Sequence, residues 1–221
     1  MKNIQKVGAI ASLAFGVSFI VLIDLLITIA SQGYVLGSGN NPAKALEFAG
    51  NSSIPYVIYL LYMLIAMLIV VIVMALSDRL KDHAPAQMQL AMIAVSAAST
   101  FFLAYAMLGY VGEPTLVSIY LENAALANAA YMAMRVVSNG LNTSAIFAAG
   151  LAILLAGWAG ITAVNFPKPL AFLLVLAGGL SILAFLIPPF SLLAPLLYII
   201  WSIWLGIFLL RSPSSLTKEV Q

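Results

Sequence analysis

The sequence predicts an all-α fold: a polytopic integral membrane helical bundle of six transmembrane helices, with an Ala-rich amphipathic helix on its outer face. Three observations carry that prediction. The first is composition. Of 221 residues, 64% are hydrophobic and only 7% are charged, with a mean hydropathy of +1.12, whereas soluble domains carry about 25% charged residues. A soluble fold of this length has no interior large enough for so much apolar surface, so lipid is the solvent for most of it. The second is the set of apolar runs long enough to span, each near the roughly 20 residues a bilayer requires. The third is the distribution of Lys and Arg between the connections.

The runs are taken in order. Val7–Ala30 follows the basic start Met1-Lys2-Asn3-Ile4-Gln5-Lys6 and resembles a signal peptide. Its apolar stretch exceeds the 7–15 residues usual for a signal-peptide core, and Asp24 interrupts it, so we read it as an uncleaved first span. The connection Ser31–Ser53 is polar and glycine-rich; within it Asn41-Pro42 reads as an N-cap followed by proline at the first helical position, opening a short helix that Gly50 ends near Ala49. Pro55–Leu76 and Met88–Tyr110 are the second and third spans, joined by Ser77–Gln87 with Asp78, Arg79, Lys81, Asp82 and His83. Ser144–Val164, Pro169–Ile187 and Ser191–Leu210 complete the six, with tight turns at Asn165–Lys168 and Pro188-Pro189. The whole chain, residues 1–221, forms one transmembrane domain.

The segment Pro114–Asn142 is long enough to propose a seventh span. Its polar residues Thr115, Ser118, Glu122, Asn128, Arg135, Ser138 and Asn142, with Tyr131 among them, recur at multiples of three and four, which draws one polar stripe along a helix. Such a helix, about residues 115–137, lies at the interface or on the bundle with its stripe toward water. Charge decides between the two. With six spans, Lys2, Lys6, Arg79, Lys81, Lys168, Arg211 and Lys218 fall on one side and only Lys44 and Arg135 on the other. A seventh crossing would divide the basic residues almost evenly. The positive-inside rule selects six spans with both termini cytoplasmic.

Small residues recur every four positions at Ala148, Ala152, Ala156 and Gly160, at Ala177 and Ser181, and at Ser202 and Gly206. These ridges let helices approach closely, within one chain or between chains. Tyr56, Tyr59 and Tyr62 open the second span at helical spacing. Tyr56 reads as an interfacial anchor, while Tyr62 sits deeper and faces the bundle.

The chemistry open to the chain is narrow. It has no cysteine and a single histidine, His83, in a charged loop, which excludes disulfides, thiolate catalysis, bis-His haem and intramembrane Ser-His pairs. One intramembrane aspartate does not make an aspartyl protease, and every lysine lies outside the spans. Nothing gathers basic residues as nucleic-acid binding requires. No cofactor is expected. Asp24 is the one formally charged residue deep in a span, at a cost of about 3 kcal/mol on the insertion scale; Thr28 and Ser31 share its face and can solvate it. The expectation is that Asp24 faces the bundle, with Arg135 its most plausible cationic partner. Glu122 and Arg135 lie too far apart along one straight helix to pair, roughly 20 Å by rise. Asp24, Thr28, Tyr62, Glu122, Asn128 and Arg135 are the candidate intramembrane or ligand-binding residues.

The last three spans carry a recognisable pattern: Gly150 to Trp158, the turn Phe166-Pro167-Lys168-Pro169-Leu170, paired Gly178-Gly179, Ala194-Pro195 and Trp201 to Trp204. This resembles the bacterial membrane family known as domain of unknown function 4386. The resemblance implies a six-span fold in a bacterial or archaeal cytoplasmic membrane and carries no activity. Members often have a glycine where this chain has Ala171, and a histidine where it reads Val137-Ser138-Asn139-Gly140. Two functional classes remain. One is a non-catalytic membrane protein, either an accessory subunit of a larger assembly or a receptor-like module, which associates through its small-residue faces with other subunits or with itself. The other is a small transporter or lipid- or apolar-ligand binder that uses Asp24 as polar anchor.

The six-span topology predicts that reporter fusions at Gln221 and after Asn139 read opposite sides of the membrane. Matching reports would mean that the Ala-rich segment crosses.

Overall fold

The computed structural model describes residues 2–32, 41–186 and 193–211. Among these, seven helices form: α1 (Lys2–Ser31), α2 (Pro42–Asn51), α3 (Ile54–Leu80), α4 (Pro85–Glu122), α5 (Ala124–Thr162), α6 (Lys168–Leu186) and α7 (Ala194–Arg211). By length and composition α1, α3, α4, α5 and α7 qualify to cross a membrane, and α6 is a shorter apolar helix. Nineteen residues at helical rise span about 28 Å, close to the hydrocarbon thickness of about 30 Å. The turn expected at Pro188-Pro189, the glycines of residues 33–40 and the tail with Lys218 lie outside the described residues.

The long helices pack in a closed circuit. α1 lies against α3 and α7, α3 against α4, α4 against α5, α5 against α6, and α6 returns to α7. One end of the bundle gathers polar contacts. The Gln5 amide donates to the carbonyl of Ala75 (3.0 Å) and to Asp78 (3.3 Å), and the Arg79 guanidinium lies 4.6 Å from the ring centre of Phe208. Lys168 donates to the carbonyls of Ile161 and Ala163, supplying donors to the end of α5, whose last carbonyls have no helical partner.

Packing follows the small residues. Lipid tails are as apolar as leucine, so helices gain from each other only by closer contact. Ala148, Ala152, Ala156, Ala177, Ser181 and Ser202 are all buried inside the chain, so these ridges join helices of one molecule. A Cβ on Gly178 would stand 2.5 Å from the carbonyl oxygen of Gly150 and from the amide of Leu154; the backbones of α5 and α6 are that close. α1 meets α7 the same way, with the Ser12 hydroxyl donating to the carbonyl of Ser202 (2.7 Å) and Gly16 facing the Ser202 side chain.

The short helix of the first connection forms with its expected cap, the Asn41 side chain accepting from the Ala43 amide, and ends at Asn51. Ala45, Leu46 and Ala49 are buried, and α2 packs on α4 and α5. One expected element is corrected. No separate helix occupies residues 115–137. α4 runs through Pro114 to Glu122, the backbone turns extended at Asn123, and α5 then continues unbroken to Thr162. Proline removes one helical hydrogen bond and crowds the preceding turn, but α4 is held by α3 and α5 along its length, and membrane helices tolerate that loss when neighbours support them. The actual boundary is Asn123, whose side chain accepts from the Leu126 amide at 3.1 Å as an N-cap. With 38 and 39 residues, α4 and α5 reach about 57 and 58 Å by rise, nearly twice the hydrocarbon thickness. They form a long antiparallel hairpin that carries α2 on its side.

Gly178 and Gly179 give a direct test of close approach. Gly178→Ala is expected to lower stability by about 1–3 kcal/mol, the usual cost of overpacking, because the new methyl meets backbone. Gly179→Ala meets nothing within 4 Å and is expected to leave the thermal midpoint in detergent unchanged. Equal midpoints for both variants would refute the close contact.

Candidate functional site

The turn at Asn123 divides the polar stripe between two helices with different surroundings. Thr115, Ser118 and Glu122, on α4, are exposed. On α5, Tyr131 and Ser138 are buried and Asn128, Arg135 and Asn142 are half-buried. The α5 portion therefore lines an interhelical face. Arg135 was expected to look toward water or Asp24; instead its guanidinium lies 5.8 Å from the ring centre of Tyr131, within electrostatic reach of a carboxyl that sequence reasoning did not single out, Glu113.

Glu113 is completely buried. One carboxyl oxygen accepts from the Tyr59 hydroxyl at 2.6 Å, a bond from α3 to α4, and the other has no hydrogen-bond partner. Tyrosines surround the pair. Tyr59 and Tyr105 stand edge to face at 6.0 Å between ring centres, Tyr62 and Tyr105 at 5.0 Å, and Tyr56 and Tyr110 at 6.1 Å. Tyr62 also leans on Phe102, which places it toward the bundle as its depth in the second span implied. Glycines make the room: a Cβ on Gly109 would collide with the Tyr59 ring, and one on Gly112 would stand 2.6 Å from the Met134 sulfur. The acceptor oxygens of Asn128 and Asn142 are likewise buried without a partner. Along α5, Asn128, Arg135 and Asn142 are seven residues apart, two helical turns each, so they share one face. The result is a polar lane between α3, α4 and α5 with Glu113 near its middle and three buried acceptor oxygens unused.

Chemically, the lane holds one buried carboxyl, one half-buried guanidinium and aromatic hydroxyls. A buried carboxyl with an unused oxygen costs several kcal/mol if it stays unpaired, and a nearby cation or a donor offsets that. Groups of three or more His, Cys, Asp or Glu side chains placed to hold a metal do not occur among the described residues.

The remaining sequence candidates lie elsewhere. Asp24 does not face the bundle. It is exposed on α1, and no described residue makes a hydrogen bond or ion pair to it. The expected pairing with Arg135 does not form, since α1 packs on α3 and α7 while Arg135 sits on α5. Thr28 is half-buried, and its carbonyl accepts from the Ser31 hydroxyl at 2.7 Å. Asp24 escapes pattern reading because α1 is apolar on its lipid side and its packed side alike. Glu113 had a signal in the sequence: Tyr105, Gly109 and Glu113 recur every four residues, one helical face continuing past the point where Gly112 and Pro114 suggest a loop.

Tyr59→Phe and Glu113→Gln each remove part of one buried bond, at an expected cost of about 1–3 kcal/mol. Their double substitution is expected to cost less than the sum, with a coupling of about 1 kcal/mol or more, measured by unfolding in detergent. Strict additivity would mean that the hydroxyl and carboxyl do not act together.

No curated protein and no solved structure matches the chain. A family model does match, over residues 12–212, nearly the full length, and its description is a domain of unknown function, DUF4386. With a membrane-type helical architecture and most of its length under that model, the chain belongs to the DUF4386 family.

Proposed function

We propose that this protein is a non-catalytic accessory subunit of a larger membrane assembly, held in it by the outer face of α1. The observation that carries the reading is the position of Asp24. Along α1, Val17, Ile20, Val21 and Ile27 are 56, 48, 40 and 63% exposed, and Asp24 falls on the same outward stripe. It lies seven residues before Ser31, about 10 Å from the helix end by rise, within the apolar length of α1. A carboxylate against lipid costs up to about 3 kcal/mol, the figure for the centre of a span. A partner helix that brings a Lys, an Arg or an amide donor to this stripe removes that cost.

A second copy of the same chain fits poorly. Every lysine and arginine lies outside the apolar runs, so two α1 stripes meeting face to face would oppose carboxylate to carboxylate. In this reading the complementary charge comes from a different membrane protein. We assign the protein to a cytoplasmic membrane with its basic end inside, in line with the positive-inside rule. A small transporter anchored on Asp24 would need that residue turned inward, and its outward position favours the subunit reading.

The test uses membranes solubilised mildly from the native source. Wild-type protein is expected to migrate on a native gel within a discrete complex, and Asp24→Leu to release it to the mass of the lone chain with detergent, while Asp24→Glu keeps it bound. Purified Asp24→Leu protein should unfold at or above the wild-type temperature, because no hydrogen bond or ion pair to a described residue is lost. A substitution that destabilises the purified chain, or identical migration of wild type and Asp24→Leu, would sink the proposal.

A further inference from the structure

On the outer surface of the α4–α5 hairpin a groove of about 520 Å³ opens, lined on α4 from Met107 to Leu116 and on α5 by Ala130 and Met134. Gly112 sets its floor, since a Cβ there would stand 2.6 Å from the Met134 sulfur. Thr115 is the one polar side chain in the lining, and its hydroxyl is already spent on the carbonyl of Val111 at 2.9 Å. No charged side chain lines the groove. An occupant therefore meets no side chain free to bond with it and is selected by its apolar surface alone. The methionines on the two walls are unbranched and polarizable, and they adapt to the shape of what lies between them.

The groove is continuous with the lipid-facing side of α4. Ile93, Met107 and Val111 are all exposed, and Ile93 to Val111 is about five turns at 3.6 residues each, which returns to the same face. The apolar run ends at Tyr110, but the groove carries that face onward, Met107 to Leu116 covering roughly 13 Å by rise. Its volume is that of a small-ligand site. One turn of a helix 10–12 Å across already takes up about 500 Å³, so the groove suits a single extended chain better than a partner helix. A free fatty acid would bring a carboxylate for which the lining has no cation, whereas a phospholipid leaves its charges among the other headgroups. We propose that the groove between α4 and α5 holds one acyl chain of a membrane phospholipid, laid along the hairpin instead of among its neighbours in the leaflet. The site makes no use of Asp24 or Glu113.

The protein's own methionines can report the occupant. The full chain is expressed in cells fed photo-methionine, a diazirine analogue close to methionine in size, and the membranes are irradiated and the adducts mapped by peptide mass. Met107 and Met134 are expected to carry adducts with the mass of a phospholipid. Met67, exposed on α3, is the reference for ordinary lipid contact. Thr115→Phe and Ala130→Phe each put a ring into the groove, and should lower the Met134 adducts at least about fivefold while leaving those at Met67 unchanged. Thr115 is exposed and bonds within its own helix, so Thr115→Phe keeps the test usable if Ala130→Phe fails to fold. The proposal is overturned if Met134 carries no lipid, if its adducts are free fatty acid, if Met107 and Met134 crosslink to a second copy or another protein instead, or if Thr115→Phe leaves the phospholipid adducts undiminished.

Discussion

Close backbone approach between helices is the constraint from which the rest of this structure follows. A helix in lipid gains little by exchanging a tail for a leucine, so association depends on contact density and on polar bonds. The chain meets that condition with glycine, alanine and serine where helices cross. Gly150 faces Gly178, Gly157 faces the backbone of Ala171 and Val175, and Gly206 faces Leu13 and the carbonyl of Ala9. At these distances side-chain hydroxyls reach backbone carbonyls on the next helix, as Ser12 does at Ser202. Between α6 and α7 they also reach other hydroxyls, as Ser181 does at Tyr198 across 2.7 Å. The circuit of six long helices is what results when each neighbour is held this way.

The same constraint places the polar lane. Gly109 lets the Tyr59 ring lie directly on α4, and only from there does its hydroxyl meet Glu113. A larger residue at 109 would push α3 away and leave both carboxyl oxygens unpaired. The lane is therefore a product of packing as much as of its polar residues. It joins three helices where two of them continue on as a hairpin, with α2 packed on that hairpin through Ala45, Leu46 and Ala49.

What was legible in the sequence follows the same physics. Apolar runs, caps and small-residue ridges have strong local signals, and α2 with its Asn41 cap and the buried Ala148–Gly160 ridge are where they were expected. The helix boundary at Asn123 was hidden because Pro114 and Gly112 are louder punctuation than one asparagine, although tertiary support from α3 and α5 outweighs them. Facing was the harder question. In a soluble helix an apolar stripe marks the core, but α1 and α3 are apolar all round, so lipid side and bundle side look alike to any periodicity. Asp24 was accordingly turned the wrong way, and Arg135 was given to it. The polar stripe from Thr115 to Asn142 was real, yet a single turn sent its first third outward and the rest into the lane.

Asp24 and Glu113 place two separate demands on their surroundings. Both carboxyls sit where water is scarce, and both would be unfavourable without a partner. Glu113 is partly compensated from within, by Tyr59 and by the field of Arg135, and its other oxygen has no hydrogen-bond partner. Asp24 receives no hydrogen bond or ion pair from any described residue. The two residues differ in their surroundings, Glu113 facing inward against tyrosines and Asp24 outward beside aliphatic side chains. That difference lets each be altered without disturbing the other.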